Sequence, residues 1–288
     1  MMYLFTEVVQ KFLQHMQAIE RSPETISGYS KDLEMFTRFM EKRYNGAFYI
    51  EEVKVSDLES FLEQLQRQGQ APASRSRRLY TLRSFFDYAY KKEFVKRNIA
   101  LSVEPPKLQQ KERTHLSESE VMQLVDAIEH PLIKLVVLTL YYTGLRISEC
   151  LNLTLDTVDL DEKRIRVIAG KGNKDRTVPI SDKLLPLLVE YVKKQRPKVS
   201  SNYFFATGKT GMLSPVYVNR VLGETVTKLK WKKKVTAHIL RHSFASQLVK
   251  KEVNLVKIQK LLGHSSLKVT SIYTHSNIEE LCEAVNVL

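Results

Sequence analysis

Two adjacent prolines, Pro105 and Pro106 in "SVEPPKLQQKERTHLSESE", constrain this chain more than any other feature. Neither supplies a backbone N–H, and each pushes the residue before it towards extended backbone, so no helix crosses this point. The polar stretch that follows has no apolar periodicity to anchor it and reads as a linker. Two domains are therefore expected, 1–102 and 114–288, joined by a linker at 103–113. A chain of 288 residues with 43% hydrophobic residues has the material for two cores.

The first hundred residues read as helical throughout. Leu4, Val8, Phe12, Met16 and Ile19 recur at helical spacing. "SPET" at 22–25 is a helix start, with Ser22 as cap and Pro23 in the first turn. Ser56 is placed to cap a third helix that stops near Gly69, and a fourth is expected from Pro72 through Val95. The second half is mixed. Ser117 and Glu120 form a capping box before an apolar run. "PLIKLVVLTLYYTG" reads as a buried helix, and "RIRVIAGKGNKDRTVPIS" as two short strands around a Gly/Asn/Asp turn. From residue 182 helices return. The class expected is mainly α in two domains: a helical bundle, then an α+β domain with a small sheet.

Charge narrows the partner. The chain carries 45 Lys+Arg against 32 Asp+Glu, a net charge of +13. The imbalance sits mostly beyond residue 101, where 29 basic residues face 19 acidic ones, against 16 and 13 before it. A polyanion is the natural partner, nucleic acid before a membrane. The run 135–145 is too short for a bilayer, which takes about 20 apolar residues. No basic n-region or cleavage site marks the N-terminus. Cys150 and Cys282 lack metal spacing, so a reduced, cytoplasmic chain without disulfides is expected.

Five short stretches could carry chemistry. In "TGLRISE", Arg146 follows the end of an apolar helix, and Glu149 is spaced to orient it. Taken alone, Arg146 also fits a snorkelling side chain. In "AGKGNKDR", Lys171 sits at a hairpin tip, either solvated or able to reach a substrate when the hairpin closes. In "HILRH", His238 and His242 have the i, i+4 spacing of a zinc pair. Arg241 lies between them and five lysines precede them in "KLKWKKKV", which suits an anion better than a cation. In "LLGHSS", Gly263 stops an amphipathic helix and His264 follows it. In "SIYTH", Tyr273 is either a half-buried aromatic or a phenol that attacks phosphorus and keeps the phosphoryl group as an ester.

Each motif is weak alone; their order is not. Arg, Lys, His-x-x-Arg, His, Tyr resembles the tyrosine recombinases, the phage-integrase family. Arg146, Lys171, His238, Arg241, His264 and Tyr273 fall on that family's six active-site positions within its local motifs. The resemblance covers residues 116–276, and "RLYTLRSFFDYAYKKEFVKRNIA" looks like the end of its helical core-binding, SAM-like domain. The layout is nearest the Xer subgroup, which resolves chromosome dimers, or simple plasmid and transposon relatives that integrate or excise mobile elements, with no arm-binding domain visible ahead of the core-binding one. "EVN" after "HSFASQLVKK" and "LKVTSIYTH" depart from the Xer pattern away from the catalytic positions.

The resemblance implies a metal-independent, cofactor-free recombinase that cuts and rejoins double-stranded DNA through a 3′-phosphotyrosine. Tyr273 would be the nucleophile and Lys171 the acid for the leaving 5′-oxygen. Arg146, Arg241 and His264 would hold the phosphate oxygens, with His238 as base and Glu149 behind them. Arg75, Arg77, Arg78 and Arg83 on the fourth helix, and Lys232, Lys233 and Lys234, are candidate DNA contacts. The tail 277–288 spaces Ile278, Leu281, Val285 and Leu288 helically. In the family such a tail docks on a neighbouring protomer, within a homo-tetramer or a hetero-tetramer with a paralogous recombinase on two DNA sites. A type IB topoisomerase and a non-catalytic DNA-binding protein are the competing readings.

Overall fold

The computed structural model describes residues 2–107, 114–168 and 175–263. The chain forms two compact units, Met1–Lys111 and Glu112–Leu288. The class is mainly helical, with a small sheet confined to the second unit.

The first unit contains α1 (Phe5–Ala18), α2 (Pro23–Tyr44), α3 (Val55–Arg67) and α4 (Pro72–Lys91). Val8, Phe12 and Met16 are buried on α1 as the periodicity requires, but Phe5 fills the place expected for Leu4. Leu4 is the residue before the helix and bridges to Tyr49, while Ile19 lies past the last turn and is exposed. At α2, the Ser22 hydroxyl accepts from the Thr25 N–H at 3.2 Å, with Pro23 in the first turn. Ser56 does not cap α3. The helix begins at Val55, and the Asp57 carboxylate reaches back from the first turn to accept the Lys54 N–H at 2.9 Å. The fourth helix stops at Lys91 rather than Val95. Glu93 takes a left-handed φ of 62°, and the Phe94 N–H turns back to the Ala89 carbonyl at 2.9 Å. That turn lays Phe94 against Tyr3, at 4.7 Å between ring centroids.

The core of this unit is aromatic. Phe5, Phe12, Phe36, Phe85 and Phe86 are all fully buried. Phe5 touches Phe48, Phe85 and Phe36 at centroid distances of 4.9, 5.0 and 5.6 Å, so rings from α1, α2 and α4 meet at one point.

The second unit opens with α5 (Glu118–Ala127), where Ser117 and Glu120 form the expected reciprocal cap. Next come α6 (Pro131–Thr143) and α7 (Ile147–Leu151). The sheet consists of β1 (Val158–Asp159), β2 (Arg164–Val167) and β3 (Arg176–Pro179), antiparallel in that order. Two strands were expected. The third, β1, is two residues long and shows no alternation to read. Then follow α8 (Leu185–Glu190), a π turn at Tyr191–Gln195, α9 (Pro215–Lys228), α10 (Ala237–Lys250) and α11 (Leu255–Leu262). Apolar on every side, α6 is buried accordingly: Ile133, Val136, Val137 and Leu140 are fully inaccessible. Along it packs α10. The Leu116 N–H donates to the Ser243 hydroxyl of α10 at 2.8 Å, which pins the start of the unit to that helix.

The aromatic junction predicts a contrast between neighbours. Phe36→Ala should cost about 3–5 kcal/mol in urea unfolding. Met35→Ala, one residue away and exposed, should change it by less than about 0.5 kcal/mol.

Candidate active site

The site begins where α6 ends. Gly144 takes a φ of 64°, and a Cβ there would lie 2.3 Å from the Phe244 ring of α10. Only glycine fits both constraints. The turn releases the chain into Arg146, which precedes α7, and Glu149 on the first turn of α7 reaches back. Its carboxylate accepts the Arg146 backbone N–H at 2.7 Å and Arg146 Nη1 at 2.8 Å. The expectation that Glu149 orients Arg146 therefore has a direct geometry.

Glu149 holds more than Arg146. Arg176, at the start of β3, donates Nη1 and Nη2 to its two oxygens at 2.9 and 2.8 Å, a bidentate fork. Arg241 Nη1 approaches at 3.8 Å from α10. Burial alone would raise this carboxyl and is the largest single influence. Hydrogen bonds from Arg176 and the Arg146 backbone, with the Arg176 charge, outweigh it and hold the group down at about 2. Glu149 is thus a fixed anion around which three guanidinium groups collect. Their exposure differs: the Arg146 side chain is 40% accessible, Arg176 11% and Arg241 3%.

Arg241 is oriented by carbonyls as well. Nη1 donates to Gly144 O at 2.7 Å and Nη2 to Leu262 O at 2.6 Å. One guanidinium therefore joins the ends of α6 and α11. His238, one turn earlier on α10, is exposed, and its ring meets His242 edge-on at 4.3 Å between centroids. His242 itself is buried. Among the described residues no group of three metal-ligating side chains assembles.

The structure brings together Arg146, Glu149 and Arg241, with His238 on the same helix as Arg241. Lys171, His264, Tyr273 and the tail 277–288 lie outside the described residues. Their neighbours in sequence are nevertheless informative. Lys171 belongs to the loop between β2 and β3, and His264 directly follows Gly263, the left-handed cap of α11 at φ 65°. Sequence reasoning missed Arg176. The signal was the alternation of β3: Arg176 shares a face with buried Val178, and an inward arginine requires an acid.

The candidate DNA contacts of α4 are engaged within their own unit. Arg77 forks onto Asp32 of α2, a carboxylate 3% exposed that also accepts from the Thr81 hydroxyl at 2.9 Å. Arg78 lies 3.7 Å from the same acid and donates to Ser74 O. Arg83 donates to Ala100 O and Val103 O. Arg75 meets Gln66. In the lysine-rich stretch, Lys233 pairs with Glu120, whereas Lys232 and Lys234 are exposed. Among the described residues no helix is long and apolar enough to cross a membrane.

Fold and site together define a cluster of three arginines around one carboxylate on a mainly helical scaffold. A model of the phage integrase family matches residues 114–280, and one of the phage integrase N-terminal SAM-like domain matches 9–93. A tyrosine recombinase of Thermosipho africanus is 35% identical over 291 residues, 98% of this chain and 99% of that one. Tyrosine recombinase XerA of Pyrococcus furiosus is 33% identical, covering 98% and 94%. A solved XerA recombinase is 28% identical with a TM-score of 0.55, covering 98% of each chain. The Tn1549 transposon integrase, solved with a circular intermediate DNA, shares the fold at a TM-score of 0.81 and 19% identity. The chain belongs to the phage integrase family of tyrosine recombinases, site-specific enzymes that cleave and rejoin DNA.

A lowered Glu149 carboxyl has a signed consequence. Its contribution to stability is complete above about pH 4.5, the ordinary range of a glutamate, and is lost as pH falls towards about 2. Glu149→Gln should lower stability at neutral pH by roughly 2–5 kcal/mol. It should also flatten the loss between those two pH values, as read from urea midpoints across the range.

Proposed function

We propose that the chain exchanges DNA strands through Tyr273. The Tyr273 oxygen attacks a phosphodiester phosphorus, the P–O5′ bond breaks, and a 3′-phosphotyrosine and a free 5′-hydroxyl result. Lys171 protonates the departing 5′-oxygen, and His238 helps accept the phenolic proton. A phenol with a solution pKa near 10 needs such a base, together with cations at the phosphate. Arg146 and Arg241 meet the charge that develops on the non-bridging oxygens, and His264 adds a hydrogen bond. The 5′-hydroxyl of a second duplex then attacks the phosphotyrosine and reverses the step, so no external energy source enters.

The observation that carries this reading is the Glu149 cluster. Its carboxylate fixes Arg146 and lies beside Arg241, so both cations are oriented before substrate arrives. Donors held in this way act at a transition state without reorganising, and removing one costs roughly 10²–10³ in rate. The assignment uses no metal or cofactor, because the arginines supply positive charge at the phosphate.

The biological role that fits best is Xer-like: resolution of chromosome or plasmid dimers in the cytoplasm, rather than integration of a mobile element. Full-length similarity to XerA and XerC proteins supports it, among them the 33% identity to XerC of Halalkalibacterium halodurans over 95% of this chain. A tetramer on two duplexes follows, homomeric or with a paralogous recombinase, linked by the tail 277–288. Lys232 and Lys234, with the exposed half of Arg77, are the best-placed backbone contacts, and binding should fall steeply with salt.

Covalent trapping tests the reading. Protein incubated with fragmented host DNA and quenched in SDS should yield adducts enriched in one sequence. Tyr273→Phe should bind DNA normally and give none, and Arg146→Ala should lower adduct yield roughly 100-fold or more. Adducts from Tyr273→Phe would refute the nucleophile. A single chromosomal locus supports dimer resolution, whereas element ends would overturn it. Deleting 277–288 should spare DNA binding and abolish pairing of two duplexes, and unchanged recombination by the truncated protein would reject the tail's role.

A further inference from the structure

One largely enclosed arginine, 11% accessible, has no part in the chemistry above. Arg176 opens β3, and its guanidinium is used on three sides. Nη1 and Nη2 hold the two oxygens of Glu149, and Nε donates to the Leu261 carbonyl at 2.9 Å, near the end of α11. Gly263, the cap of that helix, lies against the same side chain. A Cβ at Gly263 would come within 2.9 Å of Arg176 Nη1 and 3.1 Å of Cζ. The contact therefore needs glycine for its space as well as for its φ of 65°.

Two elements distant in sequence, α7 and α11, converge on this one side chain. Through Glu149 it reaches Arg146. Through Leu261 it holds the last turn of α11, whose neighbouring carbonyl, Leu262 O, is held by Arg241. The chain leaves that turn at Gly263 directly into His264. The Arg176 backbone pairs with Val167, and Lys171 lies in sequence between the two. One side chain thus bears both on Arg146, through Glu149, and on the end of α11, through Leu261.

We propose that Arg176 is a positioning residue for strand cleavage, setting the orientation of Arg146 and the exit of the chain from α11 towards His264. The inference rests on the assignment of Arg146 and His264 to the reacting phosphate. Positioning of this kind is worth a great deal, because a displacement of about 1 Å can lower a rate roughly 100-fold.

The charges around Glu149 supply an independent readout. Among the described residues its carboxylate faces Arg146 at the cap of its own helix, Arg176 from β3 and Arg241 from α10, and the buried thiol of Cys150 lies beside it. Removing Arg176 removes the strongest partner that keeps the group ionised, so Glu149 should gain its proton at higher pH.

The test uses the full chain with Arg176→Gln and Arg176→Lys, and the DNA fragments recovered as wild-type adducts. Melting and DNA retention report folding and binding, and carbon NMR of labelled glutamate carboxyls reports Glu149. Arg176→Gln should fold, retain DNA, and form adducts roughly 100-fold more slowly. The acid limb of its rate and the Glu149 resonance should both titrate at higher pH than in wild type. Arg176→Lys should recover part of the rate, because an ammonium restores charge without the fork. A wild-type rate and acid limb in Arg176→Gln would overturn the inference. So would loss of the fold in both variants, which would make Arg176 a structural staple. Arg146→Ala separates the two claims: if it keeps adduct formation, the phosphate assignment itself fails. If it loses adducts while Arg176→Gln keeps them, this inference alone fails.

Discussion

Everything at the site depends on one carboxylate. Glu149 sits among three guanidinium groups: it fixes Arg146 and Arg176 directly and lies 3.8 Å from Arg241, which two backbone carbonyls also hold. Three cations drawn together without a counter-charge would repel one another, and burying Arg176 and Arg241 would cost more than their hydrogen bonds return. With Glu149 in place, the cluster carries a net charge of +2 rather than +3, and the 40% accessible Arg146 is the member that faces solvent. A second anion, the phosphate, can then be met by groups already aligned. Gly144 and Gly263 make the cluster geometrically possible. Each occupies a left-handed position where a Cβ would strike a neighbour, the Phe244 ring of α10 at Gly144 and the Arg176 guanidinium at Gly263.

The first unit uses the same physics for another purpose. Asp32 is a buried acid that gathers Arg77, Arg78 and the Thr81 hydroxyl, and so fastens α2 to α4. Arg83 ties α4 to the segment Ala100–Val103. In both units arginine forks join elements distant in sequence. In the first, the fork fastens two helices together. In the second, it steadies the carboxylate that orients Arg146, the cation proposed to meet the reacting phosphate.

How much of this the sequence revealed depends on the range of the interaction. Local signals read well. Ser22, Pro23 and Pro72 mark helix starts, Ser117 and Glu120 form their box, and Gly144 and Gly263 end their helices, because each feature is written within four residues. The family resemblance read equally well, because motif order survives divergence. Long-range polar partners did not. Asp32 lies 45 residues from Arg77, and Glu149 lies 27 from Arg176. Nothing in local spacing pairs them. The α4 arginines looked like a basic face because sequence shows their charge but not the acid beneath. Ser56 misled for a related reason: a hydroxyl is a common cap, but Asp57 offered a charged acceptor next door. Leu4 and Ile19 fitted the helical period yet fell outside the helix, where period no longer decides burial.

The account's central claim is that Arg146 is held ready to neutralise phosphate charge, and one measurement addresses it directly. Cleavage by wild type and Arg146→Ala would be compared on DNA with an ordinary phosphate and on DNA with a neutral methylphosphonate at the scissile position. If Arg146 acts on the developing charge, the variant should be slow on phosphate and recover much of its rate on methylphosphonate, where there is less charge to neutralise. Equal slowing on both substrates would mean that Arg146 supports the structure rather than the charge, and would contradict the account.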